Sequence, residues 1–391
     1  MAVSEATERR ALQLRLGLFY VSIFTITGVY MPFWPVWLAA HGLTPTELGA
    51  VLAMNIVVRL FASPLTAHFA DRLGERRRII IIASGISLIS FLFFYVAPGF
   101  WSLLLITMVN STCWAPIVPL GDSLTMYVAY RQRLDYGRIR LWGSVAFIVC
   151  ALGSGAVINK AEPELIFWLV YAAMAFQFLA CFALPDARPP PTPPRQGSPA
   201  WPLITSPLFV VFMLSAGLSQ ASHALLNGFA TLHWQSLGLG DFAIGLLWSE
   251  GVTAEVLLFA VGAALLRRIG PTRMLLLGAG AATVRWLGNG FDPGLPALIV
   301  LQALHGLSFG AMHLGMMHFI TQSVAPRMSA SAQSLTAATA TGGLTGAAMF
   351  ACGPLYAALG GGAFFVMAAM AAIGTLGLVV LALTWRGRRI E

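Results

Sequence analysis

Long apolar stretches recur along the whole chain and are separated by short polar segments. A helix needs roughly 20 apolar residues to cross the hydrocarbon core of a membrane. Twelve stretches approach this length, and they predict helices over 15–39, 45–69, 79–97, 101–127, 138–159, 163–185, 207–235, 242–266, 274–291, 295–321, 330–358 and 362–385. The first stretch is followed by further stretches and has no small-residue cleavage site, so we expect a retained helix and not a signal peptide.

The composition indicates an all-α integral membrane protein. Of the 391 residues, 58% are hydrophobic and 10% are charged, whereas about a quarter of the residues are charged in soluble proteins. The net charge of +8 could suggest a nucleic-acid partner, but 20 of the 23 Lys and Arg residues fall on one side of the membrane. This asymmetry explains the charge and excludes nucleic acid. It predicts a multi-pass protein of the inner membrane, surrounded by lipid, with both termini in the cytoplasm.

A Pro-rich polar segment divides the chain. It reads PDARPPPTPPRQGSPAWP over 185–202, and its prolines cannot continue a helix. We predict six-helix bundles over 1–185 and 207–391, joined by a cytoplasmic linker over 186–206. A shift of 196 aligns the two halves without a gap through their first two helices, and the matched pairs include Phe33 with Phe229, Gly42 with Gly238, Gly49 with Gly245, Arg72 with Arg268, and Gly74 with Gly270. Duplicated halves around a central cavity are the architecture of major facilitator transporters.

Several charged residues lie inside the predicted membrane helices. Glu255 and Arg285 are each about twelve residues from the cytoplasmic end of their helix, or roughly 18 Å deep. A charge at that depth costs about 3 kcal/mol or more, so it normally faces a cavity or a partner. We expect Glu255 and Arg285 to pair near the midplane. Arg59 aligns with Glu255 in the repeat, and Glu250 lies about 140° around the helix from Glu255, so both are candidates for a substrate site.

Uncharged polar side chains follow helical spacing as well. His223 and Asn227 lie one turn apart on the seventh helix, and His305 lies on the tenth. Single polar residues in such helices often only join neighbouring helices. Asn227 and His305 are nevertheless candidates for binding and proton coupling.

Asp122 follows Pro116 and Pro119 in the fourth helix. Each proline removes a helix hydrogen bond and bends the chain, and bent helices are favoured where a membrane protein lines a cavity. We expect Asp122 to face that cavity, with Arg140 of the fifth helix as its partner.

Several segments resemble lactose permease and its relatives, and the 3-phenylpropionic acid transporter family most closely. The resemblance covers nearly the full length and rests on GVYMPFWPVWL at 28–38, LDYGRIRLWGSVAF at 134–147, VTAEVLLFA at 252–260, VRWLGNG at 284–290 and LQALHG at 301–306. The segment ADRLGERRR at 70–78 is similar to the facilitator loop motif, which is associated with conformational change. Its motif positions are Asp71, Arg72, Gly74, Arg76 and Arg77, while Ala67 replaces the leading glycine.

The resemblance implies roles for individual residues. The substrate-site acid and arginine of the sugar symporters match Asp122 and Arg140, and their sugar-stacking tryptophan falls at Phe147. Trp34 is a second aromatic candidate. Tryptophans in membrane helices are often packing residues or interface anchors.

The proton-coupling residues match less completely. The helix 9 arginine and helix 10 histidine of the sugar symporters match Arg285 and His305, but the glutamate that follows the histidine by three residues is here Ser308. The proton must therefore bind elsewhere. Glu255 is the first candidate and His305 its rival, while the assignment of Glu250 stays open.

These observations predict proton-coupled import of a small organic solute by a monomer. No nucleotide-binding motif, metal motif or other cofactor signal is present, and GLSFG at 306–310 lies in a predicted membrane helix and not at the strand-turn-helix elbow of a hydrolase, so we expect no enzyme. The resemblance points to an aromatic carboxylate such as 3-phenylpropionate. Proton symport of a nucleoside or an oligosaccharide, and export of a drug or metabolite, remain alternatives.

Overall fold

The computed structural model describes residues 2–158, 162–187 and 201–390, without the side chains of 2–6 and 71. The α-helices are α1 Ala2–Ala40, α2 Pro45–Leu73, α3 Arg76–Val96, α4 Gly99–Trp114, α5 Ile117–Gln132, α6 Tyr136–Ile158, α7 Glu164–Cys181, α8 Trp201–Thr205, α9 Pro207–Ala221, α10 Ala224–Ser236, α11 Asp241–Ile269, α12 Pro271–Asn289, α13 Leu295–Ala303, α14 Met312–Ser323, α15 Ser329–Ala337, α16 Thr345–Leu359 and α17 Ala363–Thr384. The predicted linker falls largely on 188–200, outside the described residues.

Nine helical segments of the described chain are long and apolar enough to cross a membrane. The last of them, Pro326–Thr384, contains two of the predicted helices, which meet at Gly360–Gly362. Helices α11 and α12, which carry Glu250, Glu255 and Arg285, are not among the nine. The all-helical prediction is therefore confirmed, while the count of twelve spans stays a prediction.

Some predicted helices are interrupted. The predicted bend near Pro116 is confirmed, because α4 ends at Trp114 and α5 begins at Ile117. The Ser63 hydroxyl donates to the carbonyl oxygen of Ala115 at 3.0 Å, which satisfies a backbone group beside the bend. Wide π-helical turns occupy Gly306–Ala311 and Ala338–Leu344. Such turns are rare and frequently occur at functional sites.

The repeat deduced from the shift of 196 is visible in the backbone. Gly42 and Gly238 have φ of 83° and 86°, and Gly74 and Gly270 have φ of 67° and 78°. Glycine adopts this left-handed conformation without a steric penalty. In each half, a left-handed glycine therefore follows both the first and the second helix. The matched positions are therefore equivalent in conformation as well as in sequence.

Contact clustering divides the chain into two units. The first comprises Met1–Thr44, Val58–Pro193 and Gly240–Ser249, and the second comprises Pro45–Val57, Pro194–Leu239 and Glu250–Glu391. This grouping assigns Pro45–Val57 of α2 to the second unit and Gly240–Ser249, which includes the start of α11, to the first unit. The predicted division at the linker would assign each of these segments to the other half. Within the second unit, a Cβ on Gly49 would lie 2.9 Å from the Cα of Gly353, so only glycine permits this approach. The predicted division into 1–185 and 207–391 stays a prediction.

Each unit has its own apolar core. In the first unit, Phe19, Ile80, Leu124 and Ile139 are among the buried residues that pack α1, α3, α5 and α6 together. In the second unit, α9, α12, α14 and α17 pack through a core that includes Phe212 and Phe319, whose ring centroids are 4.5 Å apart. These cores fix the helices that carry the polar residues described next.

Candidate functional site

The first polar cluster lies in the first unit and is centred on Asp122 of α5. The Tyr20 hydroxyl donates to its Oδ1 at 2.5 Å, and the Tyr136 hydroxyl donates to the same oxygen at 3.1 Å. Tyr20 lies on α1 and is fully buried, while Tyr136 begins α6 and is half-buried. Three helices are therefore joined at Asp122.

The predicted ion pair between Asp122 and Arg140 does not form. The Arg140 guanidinium carbon lies 5.7 Å from the ring centroid of Tyr20 and 5.2 Å from that of Phe24, which are cation–π distances. Its Nη1 is buried and has no hydrogen-bond partner among the described residues. The hydroxyls of two tyrosines satisfy Asp122, and aromatic faces hold Arg140 instead. A buried donor without an acceptor is costly, so Nη1 is available to an anionic ligand.

Two predicted aromatic residues have little surface to offer a ligand. Trp34 is fully buried, and its ring stacks between Tyr30 and Trp37 at centroid distances of 5.3 and 4.6 Å. Phe147 is also buried, in the part of α6 that approaches Gly28 of α1. Burial leaves both rings little surface for a ligand in this structure, and their part in substrate binding stays a prediction.

Arg59 is placed differently from the other predicted charges. Its side chain is exposed, whereas Arg285 is buried. The part of Arg59 in substrate contact stays a prediction.

The second polar cluster lies in the second unit and is centred on Arg285 of α12, which is only 1% exposed. Its Nη1 donates to Nδ1 of His305 at 2.9 Å and to the Ser308 hydroxyl at 3.2 Å. Its Nη2 donates to Oε1 of Gln302. The Nε is buried and has no partner among the described residues. Each of these acceptors is uncharged, so no described carboxylate contacts this buried cation.

The expected ion pair between Glu255 and Arg285 is therefore also corrected. His305 stands between them, since its Nδ1 faces Arg285 while its Nε2 lies 3.7 Å from Oε2 of Glu255. The His305 and Glu255 side chains are 17% and 22% exposed. His305, which the sequence analysis treats as the alternative proton carrier, therefore lies next to Glu255.

The hydrogen-bond partners fix where the imidazole hydrogens lie. A guanidinium can only donate, so Nδ1 of His305 accepts and its hydrogen lies on Nε2, toward Glu255. Nδ1 of His223 faces the carbonyl oxygens of Ser219 and Gln220, both at 3.2 Å, so it donates. Nε2 of His223 lies 3.2 Å from the Ser308 hydroxyl oxygen. His305 is neutral in this arrangement, because its Nδ1 accepts.

The wide turn at Gly306–Ala311 directly follows His305. A Cβ on Gly306 would lie 2.6 Å from the carbonyl oxygen of Ala254, and one on Gly310 would lie 2.8 Å from Cδ2 of Leu258. The glycines of GLSFG therefore allow this turn to pack closely on α11. The serine between them, Ser308, is buried and accepts a hydrogen bond from Arg285.

Two other predicted residues lie near this cluster in the sequence. Glu250 is half-buried, and its Oε2 has no hydrogen-bond partner among the described residues. Asn227 is half-buried and one helical turn beyond His223. Both stay candidates for substrate contact.

The facilitator loop motif is described in part. Gly74 has the left-handed backbone that the motif's glycine supplies, and Arg77 donates from Nη2 to the carbonyl oxygen of Phe182 at 2.8 Å. Arg72 is exposed and Arg76 is half-buried. The side chain of Asp71 lies outside the described residues. The motif thus connects the start of α3 to the end of α7.

Sequence reasoning missed Tyr20, Tyr136 and Gln302. Gln302 lies three residues before His305 in the predicted helix 295–321, a spacing that places both on one face, so it could have been found. Tyr136 lies inside the segment that carries the family resemblance. Tyr20 has no signal in the sequence, because its contact with Asp122 joins residues that are 102 positions apart.

Comparisons with known proteins agree with the fold. The model of the MFS_1 like family matches residues 13–367. A probable 3-phenylpropionic acid transporter of Escherichia coli K12 is 34% identical over 91% of this chain and 94% of its own length. The lactose permease of Klebsiella oxytoca is 25% identical over 78% of each chain. The crystal structure of the nucleoside transporter NupG has a TM-score of 0.78 at 17% identity, covering 96% of this chain and 100% of its own.

Proposed function

Because the chain belongs to the MFS_1 like family of major facilitator transporters, we propose that this multi-pass membrane protein imports a small aromatic carboxylate together with protons. The relative from Escherichia coli named above supports 3-phenylpropionate as the substrate. We place the protein in the inner membrane as a monomer with both termini in the cytoplasm. Alternating access moves the substrate across the membrane, and the protein's relatives are transporters and not enzymes.

The observation that carries the proposal is the charge of Arg285. The guanidinium is buried, and its described acceptors, His305, Ser308 and Gln302, are all neutral. A buried charge is normally paired, and a guanidinium matches a carboxylate with two parallel hydrogen bonds. A substrate carboxylate supplies the missing negative charge. A neutral sugar or nucleoside would leave the arginine without one.

Substrate binding and proton binding are connected through Nη1 of Arg285. When a carboxylate takes this donor, Nδ1 of His305 loses its hydrogen-bond donor and has a free lone pair. A proton from water binds there, and the nearby Glu255 carboxylate stabilises the resulting imidazolium. We assign the proton to the His305–Glu255 pair, with neither residue acting alone. Release of the substrate returns Arg285 to His305 and expels the proton.

The cluster around Asp122 is a second candidate for substrate contact, considered within the first unit by itself. Arg140 has a buried donor without a partner, beside the rings of Tyr20 and Phe24. A phenyl ring and a carboxylate are the chemical groups that such surroundings suit. Arg59, Asn227 and Glu250 complete the set of side chains that we propose for substrate contact.

Uptake into proteoliposomes tests this function. The probes are radiolabelled 3-phenylpropionate, its neutral analogue 3-phenylpropan-1-ol, uridine and raffinose, each with and without an external acid pulse. We expect the acid pulse to drive accumulation of the carboxylate alone. Arg285→Gln should lower the affinity for the carboxylate about tenfold or more, whereas the control Arg268→Gln, an exposed arginine, should not. Accumulation of uridine or raffinose instead would contradict the proposal.

A further inference from the structure

The residues after α17 form a C-terminal strap, defined as Trp385–Ile390, that folds back onto the protein. The Ile390 amide donates to the carbonyl oxygen of Ser323 at 2.7 Å, and the Ala325 amide donates to the carbonyl oxygen of Ile390 at 3.1 Å. These bonds make a parallel β-bridge between Val324 and Ile390. The strap is thereby fixed to the segment that follows α14.

Two further features hold the strap in one conformation. Nε1 of Trp385 donates to the carbonyl oxygen of Arg388 at 3.1 Å, and the Trp385 ring lies 5.1 Å from that of Phe319. Gly387 has a φ of 73°, a backbone conformation that glycine adopts most readily. The side chains of Arg386 and Arg388 therefore project from an ordered backbone.

A cavity of about 350 Å³ opens between the strap and the end of α17, lined by Leu383, Thr384, Arg386 and Arg388. Both arginines are exposed, and neither contacts a carboxylate among the described residues. The cavity thus presents two exposed guanidinium groups, a hydroxyl and one large apolar side chain. This combination suits a phosphate group that is attached to something apolar.

The apolar side of the cavity continues along α17. Ile373, Leu376, Val380 and Leu383 are 59%, 67%, 50% and 76% exposed, and their spacing of three and four residues places them on one face of the helix. In a membrane protein, such an exposed apolar face lies against acyl chains. Leu383 belongs both to this face and to the cavity. The two arginines therefore lie where the acyl-chain region gives way to the headgroups.

We propose that this cavity binds the phosphate headgroup of an anionic phospholipid, with Arg386 and Arg388 as its ligands. The acyl chains of the lipid lie along the exposed face of α17. Basic pockets at the cytoplasmic ends of membrane helices recognise anionic headgroups by this chemistry, and the arginine-rich end of this chain is the one expected to be cytoplasmic. A bound lipid holds the strap, and through Ile390 it stabilises the segment after α14.

Native mass spectrometry of the purified full-length protein, titrated with dioleoylphosphatidylglycerol, tests the site. Each cationic side chain near an anionic lipid contributes about 1 kcal/mol, so Arg386→Gln/Arg388→Gln should weaken binding about tenfold to thirtyfold. The control Arg267→Gln/Arg268→Gln removes the same charge from exposed positions at the end of α11 and should change binding less than about twofold. Equal losses in the two double variants would overturn the proposal, because they would reflect surface charge alone.

Two additional sets of measurements identify the ligand and keep the test valid if the glutamine variant is unstable. Dioleoylphosphatidylcholine should bind several-fold more weakly than the anionic lipid. If inorganic phosphate at millimolar concentration displaces the lipid and stabilises the protein equally, the site takes a free anion and the lipid assignment is wrong. Should the glutamine variant be unstable, Arg386→Lys/Arg388→Lys keeps the charge and should bind with an intermediate affinity. The Trp385 bond uses the Arg388 main chain and survives in each variant.

Discussion

Nη1 of Arg285 donates to Nδ1 of His305 across 2.9 Å, and this contact places the imidazole hydrogen on the opposite nitrogen, toward Glu255. The guanidinium cannot give the same hydrogen to a substrate and to His305. The state of the histidine therefore depends on whether Arg285 is engaged elsewhere. This dependence is the physical basis for coupling in the proposed mechanism.

Glu255→Gln should abolish proton coupling without abolishing binding. Glutamine cannot exchange a proton or stabilise an imidazolium as a carboxylate does. We expect counterflow exchange of the substrate to persist while accumulation driven by a pH gradient is lost. Measuring both in the same proteoliposomes separates coupling from binding.

His305→Asn provides the matched test on the other side of the pair. An asparagine oxygen can replace Nδ1 as an acceptor for Arg285, but the amide does not titrate. The variant should resemble Glu255→Gln, with exchange kept and accumulation lost. If accumulation is lost in only one of the two variants, the residue that is replaced in that variant carries the proton by itself.

Gln302→Glu should weaken substrate binding. A carboxylate at this position would pair with Nη2 of Arg285 and supply the countercharge that we assign to the substrate. We expect the affinity for the carboxylate substrate to fall about tenfold or more, while Gln302→Met, which is neutral and of similar volume, should change it only a few-fold. Isothermal titration calorimetry in detergent measures the difference. An unchanged affinity in the glutamate variant would exclude Arg285 from substrate binding.

Arg140 and Asp122 should each be required for substrate affinity. Arg140→Lys replaces a planar fork with a point charge and fits the rings of Tyr20 and Phe24 less well, so it should weaken binding nearly as much as Arg140→Ala. Tyr136→Phe removes one donor to Asp122 and should have a smaller effect, on the order of threefold to tenfold. Wild-type affinity in Arg140→Ala and Asp122→Ala would show that this cluster is structural.

Gly361→Ala should destabilise the second unit. A Cβ there would overlap Oδ1 of Asp292 and Nε2 of His233, which are hydrogen-bonded at 2.8 Å. Overpacking of this kind costs about 1–3 kcal/mol. The neighbouring Gly362→Ala is the control, since its Cβ would meet only Leu359 at 3.7 Å. Thermal unfolding in detergent should show a lower midpoint for Gly361→Ala alone.

Features that depend on local composition were predicted well from the sequence. The contacts between side chains of different helices were predicted poorly. The helical class, the bend near Pro116 and the matched glycines follow from apolar length, proline and backbone freedom, which are local. The predicted pairs of Asp122 with Arg140 and of Glu255 with Arg285 were wrong, because depth along a helix does not determine which neighbouring side chain makes the contact. Asp122 accepts a hydrogen bond from Tyr20, and Arg285 donates one to His305. Charge complementarity alone could not predict these uncharged partners.

The wide turn at Gly306–Ala311 holds one residue more than an α-helical turn would. If the turn changed to ordinary α-helical winding with every residue kept, α14 would rotate by about 100° relative to His305. If one residue of the turn were deleted at the same time, α14 would keep nearly its present rotation. Counting positions from His305 toward a relative's sequence is therefore valid only where that relative has the same turn. An insertion or deletion in the turn therefore changes the number of every later position, even when the side chains that face Arg285 stay the same.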